Sequence, residues 1–185
     1  MTELFNSTGI QNTEEVLKIA SEYAKKNSIT HIVIASTTGW TAKEALKFFD
    51  PSQFNVVIVT HNTGFGKDGE QEFSEEIRKE LISKGYKVLT GTMVLRNLNR
   101  AIKDRFHYSE TEIVNATLRM FGEGTKVCFE ICAMACDAGL IPPAEVIAIA
   151  GTSRGADTAA VIKAKPSNRF FDMKLIDYIC KPSLR

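Results

Sequence analysis

Ser36-Thr37-Thr38-Gly39-Trp40-Thr41 gathers four hydroxyl side chains and a glycine into six consecutive residues. Where such a run opens a helix, unpaired backbone N–H groups and the positive end of the helix dipole face an anion. Ser36, Thr37, Thr38 and Thr41 add hydroxyl donors, and Gly39 permits close approach of the backbone. The chemistry this suits is the holding of a phosphate. The run lacks the Gly-Lys-Ser/Thr ending of a Walker A loop and the spacing of the dinucleotide glycine fingerprint, which disfavours nucleoside triphosphatase and NAD readings. Capping of the following helix by Ser36 and Thr41 is the purely structural alternative.

Three further runs share this character: Thr60-His61-Asn62-Thr63-Gly64-Phe65-Gly66, Thr90-Gly91-Thr92, and Gly151-Thr152-Ser153-Arg154-Gly155-Ala156-Asp157-Thr158. His61 could hydrogen-bond a ligand carbonyl or transfer a proton, or serve only as a turn residue. Phe65, flanked by glycines in a loop expected to be mobile, either stacks on a ring or anchors the loop to the core. Arg154 lies within its loop and suits a phosphate. Asp157 either accepts a sugar hydroxyl or closes an Asx turn. Arg96, Arg100 and Arg105 form a basic cluster, with Arg96 and Arg100 on one helical face, aimed at a pocket mouth or at solvent. Glu130 and Asp137 lie seven apart in an apolar helix; the preferred reading for them is an internal salt bridge to an arginine or a subunit contact rather than a ligand contact. Cys128, Cys132 and Cys136 share a helix face but fit no standard metal-ligand pattern, so small thiols filling a seam are expected and no metal site is.

The four runs each follow a stretch of strand character. His31 to Ala35, Asn55 to Val59, Tyr86 to Leu89 and Glu145 to Ala150 are short and rich in Val and Ile. Between them, apolar residues recur at helical spacing. Helices are expected from a capping box at Asn12-Thr13-Glu14-Glu15, over Thr41 to Phe49, from about Glu70 to Ser83 with Gly85 closing it, over Arg96 to Phe106, from Ser109 to Phe121, and over Lys126 to Ala138. Two more strands, Thr158 to Lys163 and Lys174 to Cys180, follow with Pro166-Ser167-Asn168-Arg169 as their link. The order predicts an α/β fold with three layers: a mostly parallel sheet, helices on both faces and a mixed edge, in one domain over residues 1–185. Parallel strands bring the four runs to one edge of that sheet, where ligands of such folds bind.

Composition agrees with a globular chain. Among 185 residues, 44% are hydrophobic and 24% charged, and the net charge of +1 suggests no nucleic-acid partner. No apolar run approaches the roughly 20 residues of a membrane span, and the first residues do not resemble a signal peptide, so a cytoplasmic protein away from membranes is expected. No paired carboxylates, nucleophile–base dyad or metal motif identifies a catalytic residue.

Thr37-Thr38-Gly39-Trp40-Thr41-Ala42 resembles the loop with which the C-terminal α/β domain of pyruvate kinase holds a phosphate of its sugar-phosphate effector. The chain is more similar still to small stand-alone archaeal and bacterial relatives of that domain. The likeness extends through Val59-Thr60-His61 with Gly64-Phe65, Lys126-Val127-Cys128 into Glu130, Asp137-Ala138-Gly139-Leu140-Ile141-Pro142, and Gly155-Ala156-Asp157-Thr158-Ala159. The resemblance implies a pocket for flavin mononucleotide (FMN) with its phosphate on the first loop, in a homo-oligomeric protein. A flavin-dependent oxidoreductase is one implied role, and a regulatory sensor of a sugar phosphate or nucleotide is the alternative. Pyruvate kinase activity is not expected, because the barrel domain that performs it needs about 250 residues. Trp40 stands where those effector loops often carry Arg, which suits a flat ligand better than a sugar bisphosphate.

Overall fold

A computed structural model describes residues 2–183. Seven strands among them form one sheet: β1 (Glu3–Phe5), β2 (His31–Ala35), β3 (Asn55–Val59), β4 (Lys87–Leu89), β5 (Glu145–Ala150), β6 (Thr158–Lys163) and β7 (Lys174–Pro182). Their spatial order is β1-β7-β6-β5-β2-β3-β4. β2 pairs in parallel with both β3 and β5, and β3 with β4, whereas β6 runs antiparallel to β5 and β7. The fold is therefore α/β with a mostly parallel sheet and a mixed edge.

Strand pleating explains why the central strands read as unbroken apolar runs. Ile32 and Ile34 of β2 enter one core with Ile58, Ile147 and Ile149. Val33 enters the other with Val57, Val146 and Ala148. Helices α1 (Thr13–Asn27), α2 (Trp40–Ala45) and α3 (Glu75–Ser83) cover the first face through Val16, Leu17, Ala42, Ala45 and Leu81. Helix α6 (Glu123–Asp137) covers the second, with α5 (Thr111–Arg119) and α4 (Asn97–Phe106) outside it. Cys128 and Cys132 sit in the seam beneath α6, and Cys128 Sγ lies 3.5 Å from Ala148 O. Burial pushes both thiols up and raises Cys136 to about 11, so they are protonated near neutrality and pack as small apolar groups.

Several element limits differ from those expected. Asn12 does not cap α1: its amide reaches back to Ser7 O at 2.7 Å, and a short 3₁₀ turn over Ile10–Asn12 leads into the helix. Helix α2 ends at Ala45 and continues only as turns to Phe49. Helix α3 begins at Glu75 rather than near Glu70, because Ser74 Oγ accepts from Ile77 N and Gln71 uses its amide on the preceding loop. Helix α6 begins three residues earlier than expected, and residues after Pro166 form a 3₁₀ segment, Ser167–Asp172, instead of a plain link. β1 was not foreseen; three residues are too few for a periodic signal, and only pairing with β7 makes them a strand.

Among the described residues, no helix is long and apolar enough to cross a membrane.

Candidate functional site

From β2 the chain moves to β3 and β4 on one side, then crosses over the sheet to β5 on the other side of β2. The connections leaving β2 and β5 thus part in opposite directions, and a crevice opens beyond their C-terminal ends. A cleft of about 580 Å³ lies there. The loop after β2 contributes Ser36, Thr37, Thr38, Trp40 and Thr41; the loop after β5 contributes Gly151, Ser153, Arg154 and Gly155. A second compartment of about 140 Å³ adjoins it, sharing Ser36, Thr37 and His61 and adding Thr60 and Phe65.

The β2 loop is built to leave its N–H groups open. Ser36 N continues the ladder to Val59 O, and Ser36 Oγ accepts from Ala42 N at 3.3 Å. Among the described residues, no protein acceptor bonds the N–H groups of Thr37, Thr38, Gly39, Trp40 or Thr41. Consecutive free N–H groups in a turn form an anion-binding concavity. Helix α2 has only six residues, so its dipole adds less than a full-length helix would. Gly39 has a different role from the close approach expected of it. It does not line the cleft; its φ of 102° requires glycine, and a Cβ there would come within 2.8 Å of Ile77 Cδ1 on α3.

The loop between β3 and α3 folds back over the cleft. His61 and Phe65 stack with ring centroids 3.8 Å apart, and the Arg96 guanidinium lies 4.2 Å from the Phe65 centroid on the ring's face. His61 Nδ1 meets Glu72 Oε2 at 2.9 Å, while Glu72 Oε1 lies 4.0 Å from Arg154 Nη2. Glu72 therefore links the second loop to the fourth. Arg154, with 59% of its side chain exposed, remains open to a ligand.

The remaining loop residues serve the scaffold. Asp157 is fully buried: its carboxylate accepts from Gly9 N, Thr152 N and Thr158 Oγ1, tying the loop after β5 to the N-terminal lead-in. Thr158 and Thr152 are thereby engaged and do not line the cleft. Asn62 and Gly64 shape the second loop, through Asn62 Nδ2 to Thr63 O and Gly64 N to Glu70 O. Thr90 is held by Thr60 at 2.7 Å and by Arg78 at 2.6 Å. Thr90, Gly91 and Thr92 follow the edge strand β4, two strands from the crevice, and Thr92 lines a separate hollow beside α4.

The basic cluster divides. Arg96 precedes α4 and lines the small compartment, Arg100 of α4 pairs with Asp104 at 2.8 Å, and Arg105 is exposed in the last turn of α4. Glu130 and Asp137 divide as well. Asp137 accepts from Ser167 N at the surface, whereas Glu130 is buried and pairs with Lys126, a lysine rather than the expected arginine. Glu130 Oε1 also accepts from Leu95 N.

Ile10, Glu72, Glu123, Lys126 and Val127 belong to the site or its supports without having been singled out. Only the spacing of Lys126 and Glu130 offered a signal, since residues four apart on a helix are neighbours. Among the described residues, no cluster of His, Cys, Asp and Glu could hold a metal.

Residues 14–163 match the family described as pyruvate kinase, alpha/beta domain. That span covers most of the chain, from within α1 to the end of β6, and includes the loops after β2, β3 and β5, while Ile10 of the cleft precedes it. The chain therefore belongs to the pyruvate kinase alpha/beta domain family.

Proposed function

We propose that the cleft binds a phosphorylated small molecule with a flat ring, of which FMN is the leading candidate. The observation that carries this reading is the run of unbonded N–H groups from Thr37 to Thr41 in a loop whose Thr37, Thr38, Trp40 and Thr41 line a cleft that Arg154 also lines. The phosphate sits on the Thr37 to Thr41 turn, within reach of the Thr37 and Thr38 hydroxyls. The ring lies toward Trp40 and Ile10, two apolar side chains left 42% and 48% exposed on the rim. A volume of about 580 Å³ falls within the range of ordinary cofactor pockets, so the residues present fit the group. A bound flavin supplies redox chemistry itself; this chain's part is to hold the phosphate and shield the ring from water.

A sugar phosphate or nucleotide sensed without catalysis is the second reading. It is favoured by Arg154, which supplies the guanidinium that Trp40 does not. We also propose self-association through the exposed outer face of α4 and α5.

Thermal denaturation with FMN, riboflavin and a panel of sugar phosphates and nucleotides separates these readings. FMN at 100 times its dissociation constant should add about 2.7 kcal/mol, riboflavin much less, and Arg154→Gln should weaken FMN about tenfold. Stabilisation by a sugar phosphate or nucleotide but not by FMN would transfer the cleft to the sensor reading. No stabilisation by any phosphorylated compound rejects both.

A further inference from the structure

The small compartment has an unusual floor. Lys126 is buried to 5% exposure and Glu130 to 1%, and the two pair at 2.5 Å. Both carboxylate oxygens of Glu130 are engaged, one by Lys126 and one by Leu95 N. An ammonium carries three N–H donors, and Lys126 uses one of them among the described residues. Apolar side chains, Val59, Ile131 and Met134, share the walls with Ser36, Thr37 and Thr60.

Charge is unequal here. Lys126 is answered by Glu130 and Arg119 by Glu123 at 2.7 Å. Arg96 has no carboxylate partner among the described residues; its guanidinium rests on the Phe65 ring. A single uncompensated guanidinium and a buried ammonium with spare donors therefore border a partly apolar hollow of about 140 Å³.

We propose that this compartment binds the carboxylate of a small organic acid, between Arg96 and Lys126. A carboxylate presents two oxygens in a plane, which matches the guanidinium fork, and one negative charge balances Arg96. Its short carbon chain suits the apolar walls. Phosphate fits less well, because it brings more negative charge than the single guanidinium of Arg96 leaves uncompensated, and excess buried charge is costly. This goes beyond the FMN reading and does not require it: the wide compartment could take any phosphorylated ligand, or none, while the small one takes the acid.

Calorimetric titration of the whole protein with acetate, glycolate and glyoxylate tests the inference, with glycolamide as an uncharged analogue of glycolate. At least one acid should bind at least tenfold tighter than glycolamide, and Arg96→Gln should weaken that acid at least tenfold. Lys126→Gln should also weaken it; if that variant fails to fold because Glu130 is left buried without its cation, Arg96→Gln alone decides. Failure of all three acids to bind, equal binding of glycolamide, an unchanged acid affinity in Arg96→Gln, or displacement of the bound acid by inorganic phosphate of tighter affinity would each overturn the proposal. Acid binding without FMN binding removes only the reading of the wide compartment, and FMN binding without acid binding removes only this one.

Discussion

Gly39 has the residue type of a ligand-approach glycine, yet its space is occupied by Ile77. Its backbone is left-handed at φ 102°, and a Cβ would stand 2.8 Å from Ile77 Cδ1. Gly69 offers a comparison, with φ 74° and nothing within 4 Å of a Cβ. Gly69→Ala should cost about 1 kcal/mol from backbone strain alone. Gly39→Ala should cost more, about 1–3 kcal/mol, and Ile77→Ala combined with it should recover part of the difference. Denaturant midpoints of Gly69→Ala, Gly39→Ala, Ile77→Ala and the combined Gly39→Ala/Ile77→Ala variant measure this; equal costs at the two glycines would show that Ile77 yields freely. Single residues also mark the limit of inference from type. His61, Phe65 and Arg154 were legible as candidates because they lie in loops at strand ends. Glu72, which joins His61 to Arg154, was not, because its surroundings read as a continuous polar helix.

At the scale of elements, the loops are held by contacts that cross the first face of the sheet. Tyr86, just before β4, donates its hydroxyl to Phe49 O beyond α2, and so ties the exit of the binding-loop helix to the edge strand. Burial, with Asp50 nearby, pushes the Tyr86 phenol up to about 12, against an unfolded value of about 10. Between these values the unfolded chain ionises and the folded one does not, so this contribution to stability is whole below pH 10 and is lost as pH rises toward 12. Tyr86→Phe should remove this alkaline loss, while costing about 1–3 kcal/mol at neutral pH by leaving Phe49 O unpaired. Urea denaturation of both proteins at neutral and alkaline pH provides the check, and identical pH slopes would contradict it. The helix limits that sequence patterning misplaced are those decided by side chains at the ends. Ser74 rather than the Glu70 region caps α3, because Gln71 is already committed to the loop.

For the whole molecule, the sheet leaves one outer layer poorly covered. Leu98, Ile102 and Phe106 of α4, Ile113 of α5 and the adjoining Met120 are exposed. Nearby charges are closed within the same face, Arg100 on Asp104 and Lys103 on Glu112, and a net charge of +1 offers little repulsion between copies. This exposed apolar area supports the proposed self-association, with a second copy as the partner the charge balance suits. Sedimentation should show concentration-dependent oligomers that Leu98→Glu with Phe106→Glu returns to monomer; a wild-type monomer at every concentration would reject this. Strands β2 to β7, the mostly parallel sheet with its mixed edge, and the hydroxyl-rich runs at strand ends were legible in the sequence, because they follow from local period and turn chemistry, whereas β1 was not. Which loops face one another was not. Strand order places β5 beside β2 and leaves β4 at the rim, so the loops after β2 and β5 share a cleft while Thr90 to Thr92 stand apart. The meeting of Lys126, Glu130 and Arg96 likewise awaited the packing of α6 beneath the start of α4, since burial and charge balance depend on contacts between residues distant in the chain.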